Sequence, residues 1–131
     1  IGINKEYNTF ELNNALGHKN IIKANRIVNY FSHNDKKYPF PLILGNLYSY
    51  FCKILKYHYV QGKSKNEQVS YMGVHPFFIK DYELAARHYS RGKLIDVIKE
   101  LHQYDLKTKG LGNASVSSTE LMKEMVYKIL H

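Results

Sequence analysis

Apolar residues return every three or four positions along almost the whole chain, and no stretch sustains a two-residue alternation. That rhythm predicts helices and no strands. The first helix covers Lys5 to Leu16, with Phe10, Leu12, Ala15 and Leu16 apolar, and Gly17 follows where a left-handed backbone is tolerated. The second runs from Lys19 to about His33. Its Ile21, Ala24, Ile27, Val28 and Phe31 share one side and leave Lys19, Lys23 and Arg26 on another. Residues 34–41 form a loop whose two prolines stop one helix and allow a new start at Pro41. The third helix, to about Gln61, is apolar nearly all round, which places it at the centre of a bundle. Gly62 ends it.

Two serines announce further helices. Ser64 followed by Glu67, and Ser117 followed by Glu120, have the spacing of a capping box. The fourth helix therefore runs from Ser64 to Met72 and the seventh from Ser117 onward, with Leu121, Met122, Met125, Val126, Ile129 and Leu130 as an apolar stripe. Pro76 opens the fifth, to about Tyr89. Ser90 can cap the sixth, about Arg91 to Thr108, with Leu94, Val97, Ile98, Leu101 and Tyr104 inward. Residues 110–115 read as a flexible glycine loop. The expected fold is all-α, a bundle of about seven helices joined by short loops.

The fourth and fifth helices, joined at Gly73, have the spacing of a DNA-binding helix-turn-helix over residues 66–89. Their side chains point elsewhere. A groove-reading helix opens with residues that can reach base edges, whereas this one opens with Phe77 and Phe78, which call for burial. The segment reads better as a packed helical hairpin, with the regulator as the alternative.

Composition narrows the function. The chain has 131 residues, enough for one domain with its own core. Its single cysteine, Cys52, excludes an intrachain disulfide and suits a buried site in a reducing, cytoplasmic setting. No apolar run is long enough for a membrane span, and no signal peptide is visible. The chain starts at Ile1 without Met, as expected of a fragment or a processed product. The net charge is +8, and residues 18–62 hold seven Lys or Arg against one Asp. Such an excess favours polyanions, although a lysine-rich solvated surface has the same composition.

Catalytic and cofactor motifs are missing. There is no phosphate-binding glycine loop, no zinc-spaced Cys/His set and no H-E-x-x-H, so no catalytic residue, metal or cofactor is expected. A small hydrolase using His58 or Cys52 has little to support it. His58 suits a hydrogen-bonded core or edge position, and His75 suits a turn. The acids sit beside bases, as in Asp96 with Lys99, Glu100 with Lys99, Glu120 with Lys123 and Glu124 with Lys128, in the pattern of solvated ion pairs. Twelve tyrosines are the oddest feature. Tyr48, Tyr50, Tyr57 and Tyr59 crowd the third helix beside Lys53 and Lys56. They suit a wide core or a subunit interface better than a base-stacking platform. Lys107 and Lys109, ending the sixth helix before a glycine loop, could complement the helix dipole or hold a phosphate backbone.

Several stretches carry a resemblance. Tyr7 to Leu12, Asn14 to Gly17, Lys23 to Phe31, Leu47 to Phe51, Met72 to Phe78 and Tyr104 to Gly110 together resemble the C-terminal part of the bacterial DNA polymerase III delta subunit in its Bacteroidetes-like form. The resemblance implies a helical collar domain over residues 5–131, with residues 1–4 the end of a linker from a preceding domain. It implies a non-catalytic oligomerisation module of the clamp loader, without ATPase activity, with other loader subunits as partners. It implies that primer-template DNA is at most a weak partner, and that the sliding clamp is contacted by an N-terminal domain, not by this one. By the same resemblance Lys107, Lys109, Gly110 and Asn113 are DNA-proximal. Tyr48, Tyr50, Phe77, Phe78, Tyr104 and Asp105 are interface or packing candidates, with Tyr104 and Asp105 locking the sixth helix.

Overall fold

Helix α3, Phe40–Val60, is the axle of the molecule. It touches α1 (Thr9–Gly17), α4 (Lys65–Met72), α5 (Ile79–His88), α6 (Arg91–Thr108) and α7 (Ser118–Leu130). The remaining helix, α2 (Ile21–Ser32), bridges α1 and α7. This is a computed structural model that describes residues 6–110 and 116–131. Among the described residues there are seven α-helices, one 3-10 turn at Pro76–Phe78 and no strand.

The helix starts follow the capping logic. Asn8, Asn20, Ser64, Ser90 and Ser117 each accept the backbone N–H three residues on, satisfying a donor the helix leaves open. Asn8 starts α1 later than expected, because its side chain claims the Glu11 amide. α4 stops at Gly73, whose φ of 66° no ordinary side chain adopts cheaply.

Gly17 corrects an expectation. It is the last residue of α1, not its left-handed terminator; Lys19, with φ 52°, makes that turn. Gly17 is needed for space. A Cβ there would land on the Tyr50 hydroxyl of α3, so its absence lets α1, α3 and α5 close together.

One continuous core gathers Leu12 and Leu16, Ile27 and Phe31, Ile43, Leu47, Phe51 and Ile54, then the stripes of α6 and α7. Two tyrosines lie fully inside it. The Tyr89 hydroxyl donates to the Leu16 carbonyl at 2.6 Å, and that of Tyr104 donates to Glu124 at 2.5 Å. Burial pushes the Tyr89 phenol well above its ordinary value, so the group stays neutral and its hydrogen stays available. His58 Nε2–H donates to the Tyr89 carbonyl at 2.7 Å, the edge role its position suggests. A smaller second core (Tyr57, Val60, Met72 and Ile79) lies under the hairpin of α4 and α5.

Candidate functional site

The central helix is not covered on all sides. Pro41, Gly45, Tyr48, Cys52, Leu55 and Tyr59 follow one another at alternating spacings of four and three, the repeat of a helix-packing seam. That seam faces outward. Tyr48 and Tyr59 are about half exposed (50% and 51%), and Cys52 and Leu55 are half-buried. The expectation of a buried Cys52 fails because Cys52 sits on this outward seam rather than on the core side.

α6 lies beside the seam and runs the other way. At one end the Arg91 guanidinium stands 4.6 Å over the Tyr59 ring. At the other, Leu101, His102 and Asp105 share a depression of about 280 Å³ with Leu44, Gly45 and Tyr48. Ile95, 42% exposed, continues the apolar surface between them. Nothing lies within 4 Å of where a Gly45 side chain would be, so the depression is open to a visiting side chain. The result is a two-helix face, apolar along its length with a cation near one end and an acid near the other.

The remaining expected site residues divide. Tyr50 packs in the core and keeps only 7% of its surface, on a cleft between α1, α3 and α5. Tyr104 ties α6 to α7, whereas Asp105 bonds only within the end of α6. The Tyr104 hydroxyl holds Glu124 of α7, and Lys107 and Lys128 stand 4.8 and 5.3 Å over its ring. Burial pushes the Tyr104 phenol up to about 12. The same hydrogen bond, with Lys128, holds the Glu124 carboxyl below the usual carboxylate range. Asp105 takes Lys109 as its ion-pair partner at 2.8 Å, so one of the two cations at the end of α6 has an acid beside it. Gly110 has φ 79° and turns the chain there. Asn113 lies outside the described residues. Of the ion pairs expected from spacing, Glu124 with Lys128 forms at 3.3 Å, and Lys128 also reaches Glu100 at 3.6 Å. The Asp96–Lys99, Glu100–Lys99 and Glu120–Lys123 pairs do not close. Among the described residues, Lys23, Arg26, Lys36 and Lys37 on α2 and the loop after it have no ion-pair partner, and neither do Lys53 and Lys56 of α3, so the unpaired cations are spread over several elements.

Phe77 overturns its expected burial: it is 76% exposed. Phe78 is half-buried, with its ring 5.7 Å from that of Phe10 in an edge contact. The cause is angular. Consecutive residues of a 3-10 turn point about 120° apart, so only one of two adjacent rings can face the protein. His75 caps that turn by accepting the Phe77 amide at 3.0 Å. The hairpin nonetheless lacks the makings of a groove reader. Lys80 and Arg87 on α5 are offset by Asp81 and Glu83, and Arg87 is paired with Glu83 at 3.4 Å.

No group of three His, Cys, Asp or Glu side chains among the described residues is placed to hold a metal, and no described helix is long and apolar enough to cross a membrane. The exposure of Ile95 was not anticipated, and of the four α3 tyrosines read as core or interface, Tyr48 and Tyr59 fall on the open side. The four-three spacing of the α3 seam was visible in the sequence, but a helix apolar on every side does not reveal which side its neighbours leave open.

The description "DNA polymerase III delta subunit, C-terminal domain" fits the chain over residues 6–126. A solved structure, the Bacillus subtilis DNA clamp loader delta protein (YqeN), shares its fold with a TM-score of 0.74 at 22% identity, over 93% of this chain and 35% of that one. The present chain thus spans about a third of that protein's length. No curated protein matches it in sequence.

Proposed function

Because the chain belongs to the family formed by the C-terminal domain of the DNA polymerase III delta protein, we propose that it serves as a non-catalytic helical collar. Through it a delta subunit joins the other clamp-loader subunits, in the complex that loads the sliding clamp on primed DNA. The observation that carries this reading is the uncovered face of α3 and α6. A helix-spaced apolar seam with tyrosines along it is what a subunit-packing surface needs, and its half-exposed rings are the residue type that dominates interface energetics. Residues 1–4 are proposed as the end of a linker to a preceding domain. In the assembled ring the end of α6, with Lys107, Lys109, Gly110 and Asn113, lies near the DNA path. Lys109 is held by Asp105 in a largely exposed ion pair, which a phosphate can displace at small cost.

Co-purification with the other loader subunits tests the collar. The chain should co-elute with them, and Tyr48→Asp combined with Ile95→Asp should abolish this while circular dichroism and melting stay unchanged, since both residues face water. Undiminished association of that double variant would remove the α3–α6 face from the proposal. No association by the unaltered chain would remove the collar.

A further inference from the structure

A cleft of about 410 Å³ opens on the opposite side of α3, between α1, α3 and the hairpin of α4 and α5. Its size is that of a small-ligand or side-chain site. Three things about its lining stand out. Phe10 and Phe78 form an aromatic wall, Phe10 about half exposed, with the His75 ring next to Phe78. The Tyr50 hydroxyl, on a residue 7% exposed, has no hydrogen-bond partner among the described residues, unlike those of Tyr89 and Tyr104. Lys53 and Asp81, one from each side, both line the cleft, and neither has an ion-pair partner among the described residues. Burial raises the phenols of Tyr50 and Tyr82; Asp81 adds to it for Tyr82 and, after the neighbouring Tyr82 and Tyr89, for Tyr50.

These groups select a ligand chemistry. A cationic side chain would gain Asp81 but meet Lys53, and an anionic one would gain Lys53 but meet Asp81. A neutral ring with a hydrogen-bonding tip meets neither penalty. Its body would lie on the Phe10–Phe78 wall and its N–H or O–H would reach Asp81 or the unpartnered Tyr50 oxygen. Of the lining amides, Asn13 and Asn46 already bond to each other at 2.7 Å. Beyond the mouth, the exposed Phe77 ring continues the aromatic surface in edge contact with Phe78 at 5.5 Å. A free small molecule seated in the cleft would leave Phe77 bare, whereas a polypeptide would cover it. We propose that this cleft is a docking pocket for a tyrosine or tryptophan side chain presented by a partner polypeptide, with Phe77 packing on the partner's flanking backbone. It is separate from the α3–α6 face and does not depend on the collar reading.

The chain contains no tryptophan, so the indole fluorescence of an added probe is read without competition from the protein's own. N-acetyl-tryptophanamide should bind saturably, with a dissociation constant on the order of 1 mM. The capped tripeptide Gly-Trp-Gly should bind about threefold or more tighter, because it also covers Phe77. Backbone amide NMR shifts should centre on the cleft residues. Asp81→Asn and Tyr50→Phe should each weaken binding about threefold to tenfold, while melting of Tyr50→Phe stays near that of the parent, since the lost hydroxyl has no partner among the described residues. Phe77→Ser should erase only the tripeptide's advantage. Capped phenylalanine amide should bind less well than the tryptophan probe, and capped arginine and glutamate amides least. Non-saturating shifts, equal binding by both variants, or an arginine amide that binds best would overturn the pocket. Equal affinity for the amide and the tripeptide would overturn the polypeptide partner.

Discussion

The α6–α7 pair and the α4–α5 hairpin are built by the same local rules and end in opposite states. Serine caps start α4, α6 and α7 alike. In the α6–α7 pair the apolar stripes go inward, and the polar groups around them find partners: Tyr104 with Glu124, Lys128 with Glu100 and Glu124, Lys109 with Asp105. The hairpin buries little of its own, mainly Met72, Ile79 and Ala85, and leaves Tyr71 and Phe77 in water. The difference shows that caps and periodicity make a helix but do not assign its role. That role follows from how much of the helix's apolar surface the rest of the protein covers, and large uncovered rings mark a surface held for something else.

The largest test compares the two regions directly. Met125→Ala, at a fully buried site in α7, should cost about 2–5 kcal/mol of global stability in chemical denaturation. Met72→Ala, in the small core under the hairpin, should fall at the low end of that range. Its faster amide exchange should be confined to residues 64–88. Equal global losses from the two would make the hairpin part of one cooperative unit and dissolve the contrast.

Next in size is the junction where the hairpin meets α1. Gly17→Ala should destabilise by about 1–3 kcal/mol, because its new methyl meets the Tyr50 hydroxyl. Adding Tyr50→Phe should recover most of that loss in the melting temperature. A double variant no better than Gly17→Ala would place the strain elsewhere.

Tyr104→Phe should cost about 1 kcal/mol by removing the bond to Glu124. It also carries a pH signature. The Glu124 carboxyl is held below its ordinary range in the folded chain, so its stabilisation is complete above that range and is lost as pH falls through the folded value. In Tyr104→Phe the acid limb of the stability curve should therefore be shallower. An unchanged limb would mean that the bond does not hold the carboxylate. The smallest effect is Phe77→Ser, which should stay within about 0.5 kcal/mol of the parent in denaturant titration, because the ring touches little beyond Phe78.

Much of the fold was legible in the chain. α6 begins and ends where its periodicity and Ser90 put it, and the α7 stripe from Leu121 to Leu130 is buried throughout. Local signals suffice there, because a cap oxygen and a three-four repeat act within one or two helical turns. Gly17 was misread for the opposite reason: its need for space comes from Tyr50, thirty-three positions away.

Helix positions and the all-α class were thus set by interactions between near neighbours, which any reader of the residues can trace. Which of two adjacent phenylalanines turns outward, which side of an all-apolar α3 stays bare, and that Tyr50 borders a cleft were decided by packing between distant segments. Burial is a property of the assembled surface, and a repeat along one helix carries no record of which neighbours will arrive to cover it.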